Sequence, residues 1–173
     1  MTSADPIQSW HDLYVMLGAS SATLIGLIFV AASLHLGDLV SNPAVRVRAY
    51  HGTLYLLALL VEAVLILIPQ PVPVLGAQLC ALNLAGLWFP LSGAYRYFFK
   101  DKAASQHAGI SMSRIMTNSV AYLLGICGGI TLFVSSHWGM YLITASFMTL
   151  LVSVVLGAWQ VALGIGQAEE KGR

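Results

Sequence analysis

Residues 43–69 read PAVRVRAYHGTLYLLALLVEAVLILIP. Asn42-Pro43 is a helix opening, because Pro is tolerated at the first helical position, where its missing N–H has no partner to lose. Two arginines follow, then an apolar run to Ile68 interrupted by one charge, Glu62, and closed by Pro69. A helix crossing a bilayer needs about 20 apolar residues, whereas a helix on a soluble domain keeps a charged face for water. The stretch predicts a transmembrane helix over 45–68, with a basic flank at its start.

Further spans lie on either side. Upstream, Asp5-Pro6 reads as a helix start and Trp10 and Tyr14 as headgroup-level anchors, so the first span covers 10–36 and stops at Gly37-Asp38. A cleaved signal peptide is the competing reading, but Asp5 and Asp12 without Lys or Arg make the wrong leader. Downstream, Pro69, Pro71 and Pro73 form a short uncharged hairpin, and the third span runs over 74–99. Pro90 within it removes a backbone hydrogen bond and should kink the helix. After the polar segment Lys100 to Ser113 come spans 114–134 and 139–165, joined by a turn around His137, and a charged tail. Only 9% of the 173 residues are charged, against roughly 25% in a soluble domain. The expected fold is therefore an all-α, polytopic bundle of five transmembrane helices in one domain, with lipid as its main solvent.

Orientation follows from the basic residues. Arg46, Arg48, Arg96, Lys100, Lys102, Arg114, Lys171 and Arg173 all fall on one side of the five-span scheme. Loops rich in Lys and Arg stay in the cytoplasm, so the N-terminus is expected outside and the C-terminus inside. Arg46, Arg48, Arg96, Lys100 and Lys102 are also placed to meet anionic lipid headgroups. No basic cluster is dense enough to suggest nucleic acid.

Glu62 is the residue to explain. An ionisable group at depth costs about 2.5–3.5 kcal/mol on insertion scales and normally faces a partner or a wet cavity. It then either keeps its proton and holds helices together, or is bathed by water or a bound cation. At 100° per residue Arg48, His51, Tyr55 and Glu62 share an arc of roughly 60° on an otherwise apolar helix, the order expected of a proton or cation path. Counting depth from the outer ends brings Ser20, Ser21, Gln78, Thr131 and Ser146 level with Glu62. Gln78 is the expected partner, because its amide serves either protonation state.

Small residues mark the packing faces. Gly18, Ala22 and Gly26 recur on the first span, and Gly125 and Gly129 on the fourth, with Asn118 and Tyr122 on nearly the same face. The fifth span carries Ser146, Thr149, Ser153, Gly157, Gln160 and Gly164 within about 80°. Such stripes let helices approach closely, within one chain or between subunits of a homo-oligomer.

Other chemistry finds little support. Cys80 and Cys127 lie in apolar runs without a CxxC or a Cys/His cluster, so no metal or cofactor is expected. His35 and His51 fall near the ends of adjacent helices but lack the paired geometry of a haem site. There is no HExxH or GxSxG motif, no phosphate-cradling loop and no paired intramembrane carboxylates, so no enzyme is expected.

Trp10-His11-Asp12, Gly18-Ala19, Gly26-Leu27-Ile28-Phe29-Val30-Ala31, Ser33-Leu34-His35-Leu36 and Arg48-Ala49 resemble a group of small uncharacterised bacterial membrane proteins. The likeness spans the first third of the chain. It implies a bacterial cytoplasmic (inner) membrane and brings no activity or catalytic residue with it.

The sequence thus points to a small homo-oligomeric channel or transport-type protein whose intramembrane carboxyl binds or conducts a cation or proton. The alternative is a non-catalytic subunit or regulator that binds a partner membrane protein through its small-residue faces.

Overall fold

The computed structural model describes residues 8–34, 37, 43–99, 112–134 and 138–171, the side chains of residues 8, 43–45, 47, 48, 96–99 and 160–171 excepted. Asp5-Pro6, His35, Lys100, Lys102, His137 and Arg173 lie outside the described residues.

After a single 3-10 turn at Gln8–Trp10, the chain forms α1 (His11–Leu34), α2 (Pro43–Leu67), α3 (Val72–Phe99), α4 (Met112–Phe133) and α5 (Trp138–Lys171). All five are long and apolar enough to cross a membrane, and no strand occurs among the described residues. The expected 45–68, 74–99 and 114–134 recur to within a few residues. The fifth helix runs past the expected 165 to Lys171, since Gln-Ala-Glu-Glu-Lys are all good helix formers. Pro71 ends the short link after α2, its carbonyl accepting from the N–H groups of Val74 and Leu75 at 2.9 and 3.1 Å. Pro73 then sits in the first turn of α3, where its absent N–H costs nothing. Pro90 lies inside α3, which continues on both sides of it.

The helices alternate in direction, so the bundle has two chemically distinct ends. Trp10, the 68–71 link and Trp138 gather at one, here the tryptophan end, where the Trp10 and Tyr141 rings meet edge to face at 4.8 Å. The helix positions of Arg46, Arg48, Arg96, Arg114 and Lys171 lie at the other, the arginine end.

α3 packs along α4 and α4 along α5 more extensively than any other pair, whereas α2 meets α3 over a short stretch and leans mainly on α1 and α5. Glycine explains the tightness of α3 against α4. A Cβ on Gly76 would stand 2.6 Å from the Phe133 backbone nitrogen and 2.7 Å from the Gly129 carbonyl oxygen, so only glycine permits this backbone approach. Gly128 and Gly139 join α4 to α5 in the same way. Leu56, Leu59, Leu79, Ile143, Phe147 and Leu150 fill the centre. The exterior is also apolar, with Phe29, Trp88, Val120, Ile130 and Val152 exposed, which suits lipid and not water.

Candidate functional site

Glu62 lies on α2 five residues before the helix ends and is 2% exposed. It faces α3, where the Asn83 side chain hydrogen-bonds its carboxyl. Asn83, itself 1% exposed, gives a further N–H to the Leu79 carbonyl at 3.0 Å. Asn83 sits where Gly125 of α4 has no side chain, since a Cβ there would collide with the amide. One carboxyl oxygen of Glu62, Oε1, has no hydrogen-bond partner among the described residues, and neither has the buried Ser21 Oγ on α1.

This corrects the pairing expected from depth. Gln78 does not hold Glu62; its own Oε1 is buried without a described partner, and Asn83 takes the role five residues further along α3. Counting from helix ends treats the spans as parallel rods. Asn83 lies eleven residues into α3 and Glu62 five before the end of α2, so α3 stands further toward the tryptophan end than level counting assumes.

Two tyrosines stand close enough to Glu62 to feel its charge, Tyr14 of α1 and Tyr122 of α4. Tyr14 is fully buried, not a headgroup anchor as expected. Its ring packs on Phe147 and its hydroxyl lies 2.9 Å from Thr144 Oγ1 on α5. The Thr144 proton goes to the Met140 carbonyl at 2.8 Å, so Tyr14 is the donor to Thr144. The Tyr122 ring occupies the space beside Gly86, which no larger residue would leave open.

Nearer the arginine end a second polar layer joins three helices. Ser153 of α5 donates to Asn118 Oδ1 on α4 at 2.7 Å, and the Asn118 side chain also bonds the Tyr55 hydroxyl of α2. Tyr55 packs between Phe89 and Tyr122, at centroid distances of 6.3 and 6.2 Å, and His51 meets Phe89 at 6.1 Å. One turn before Asn118, the Arg114 guanidinium lies against α5 in the space that Gly157 leaves. His51, Tyr55 and Glu62 thus do share one side of α2. The Arg48 and Arg96 side chains are outside the described set, and Arg46 is exposed.

Of the small residues, Gly18 meets Ala63 of α2, while Gly125, Gly129 and Gly157 are filled by neighbours in the same chain. Ser146 is fully buried and donates to the Ala121 carbonyl of α4 at 2.7 Å. Thr149 bonds within its own helix at 2.7 Å. Ala22 and Gly26 lie on the outside of the bundle, with nothing within 4 Å of a Cβ built on Gly26.

Sequence reasoning missed Asn83 altogether, and it read Asn118 and Tyr122 as packing and Arg114 as topology alone. A usable signal existed. Asn83 and Asn118 are the two asparagines inside apolar spans, and an amide at such depth needs a partner much as a carboxyl does.

The chain matches no protein-family model, no curated protein and no solved structure.

Proposed function

We propose that this is a membrane-embedded channel or transport-type protein that binds or conducts a proton or cation at Glu62. The observation that carries the reading is the Glu62 carboxyl, buried against α3 with Oε1 unpartnered among the described residues. A carboxyl retained at that cost is the usual mark of an ion or proton path in a membrane bundle. Tyr122 stands on the arginine side of Glu62, and Tyr14 and Thr144 on its tryptophan side.

In this reading the arginine end is cytoplasmic and the N-terminus external, on the positive-inside rule. The membrane is a bacterial inner membrane, on the resemblance of the first helix. Arg46, with Arg48, Arg96, Lys100 and Lys102, would then meet anionic headgroups, and the working form is a homo-oligomer. Flux into proteoliposomes tests the role. Glu62→Gln keeps the shape and a bond to Asn83 but removes the titrating group, so flux should fall by about a hundredfold or more, as for loss of a proton-transfer group. Equal flux from parent and variant, or none from either, removes the reading.

One observation favours a second reading, a non-conducting subunit that binds a partner membrane protein. Ala22 and Gly26 leave a shallow face on the outside of α1 where another helix would fit. Native mass spectrometry separates the two: an unrelated stoichiometric partner supports the subunit, a ring of identical chains the channel.

A further inference from the structure

Building on the transport reading, we infer that the species taken up at Glu62 is a proton, and that alkali-metal and divalent cations are not bound there. A metal cation leaving water needs its shell replaced by about six or more oxygens for Ca²⁺ or K⁺-sized ions, or a rigid octahedron for Mg²⁺. Glu62 supplies one carboxylate. Among the described side chains the one other carboxylate is that of Asp12, exposed in the first turn of α1, so no second described carboxylate assists it.

Backbone carbonyls do not make up the difference. Ion sites in membrane proteins draw them from unwound helix segments, and α2 runs unbroken from Pro43 through Glu62 to Leu67. Opposite, α3 is helical throughout, and the one carbonyl there that loses its i+4 donor to a proline is that of Gly86, four residues before Pro90. It lies about 4.5 Å along the axis from Asn83, beside a space already taken by the Tyr122 ring. The nearest side chains are also closely packed, with Asn83, Tyr14 and Tyr122 all buried.

What does surround Glu62 suits a proton. The Asn83 amide of α3 bonds the carboxyl, and Tyr14 of α1 and Tyr122 of α4 stand near enough to feel its charge; α5 contributes Thr144 through Tyr14. All are neutral, and the Asn83 amide, with both donor and acceptor atoms, can hydrogen-bond either form of a carboxyl. The Arg114 guanidinium stands toward the arginine end, against α5 in the space that Gly157 leaves.

Two measurements on the full-length protein in liposomes test this. The first follows proton flux with an entrapped pH dye, and Na⁺, K⁺ and Ca²⁺ flux with ion-selective reporters, for the parent and Glu62→Gln. The expected result is proton flux that falls about a hundredfold or more in the variant, with metal-ion flux at the protein-free baseline in both; metal-ion flux that depends on Glu62 overturns the inference. The second is infrared titration of the carboxyl band that Glu62→Gln deletes. It should respond to pH and stay unchanged on adding Na⁺, K⁺ or Ca²⁺. A band shifted by any of the three overturns the inference even if nothing is transported. Absence of all flux beside a purely pH-responsive band defeats the transport reading alone and upholds the proton.

Discussion

The layers around Asn118 and around Glu62 lie about 10 Å apart along α2 and each bonds α2 to a neighbouring helix through an asparagine, yet they end differently. In the first, Ser153, Asn118 and Tyr55 satisfy one another across α5, α4 and α2. In the second, Asn83 satisfies part of Glu62 and leaves Oε1 without a described partner. A closed set of neutral bonds fixes which helices meet and costs little to bury. A partly satisfied carboxyl is a standing expense that packing alone does not explain. On the transport reading, the first layer serves architecture and the second function.

The sharpest way to break that contrast is Gly125→Ala. The new Cβ would displace Asn83 and so strip Glu62 of its described partner, for a loss of about 1–3 kcal/mol typical of overpacking together with loss of flux. Unfolding in mixed detergent micelles measures the first and the liposome assay the second. Normal flux would mean that Asn83 is incidental to Glu62. Next in size is Asn118→Leu, which orphans the Ser153 and Tyr55 hydroxyls. With each interhelical bond worth about 0.6 and at most about 1.7 kcal/mol, stability should fall by about 1–2 kcal/mol while Glu62-dependent flux survives. Flux lost without a loss of stability would reverse the assignment of the two layers. Ser153→Ala removes one bond of the same layer and should cost about 0.6 kcal/mol by the same micelle measurement, with flux untouched.

The spans were legible because length and apolarity suffice to read them, and because prolines at 43, 69, 71 and 73 bracket two of them. Glu62 was legible as a charge where charge is expensive. Its surroundings were not. α1 is apolar on every side, so hydropathy does not tell that Tyr14 turns inward to Thr144 while Phe29 turns outward. Depth counting named Gln78 because it assumes level helices, and the lean of α3 onto α4 is set by Gly76 and Gly129, whose partners lie some fifty residues apart. The faces of α5 fared better: Ser146, Ser153 and Gly157 share a stripe in the sequence and a neighbour, α4, in the fold.

The backbone contact of Gly76 with Gly129 and Phe133 also limits how the molecule can move. Two helices touching main chain to main chain cannot slide past one another by even one residue without driving a side chain into a peptide group. With Gly128 and Gly139 locking the next pair, α3, α4 and α5 form a stiff slab. α1 and α2, by contrast, meet it through side chains such as Tyr14 and Tyr55. On the transport reading, a cycle that presents Glu62 first to one side of the membrane and then to the other would move α1 and α2 against that slab.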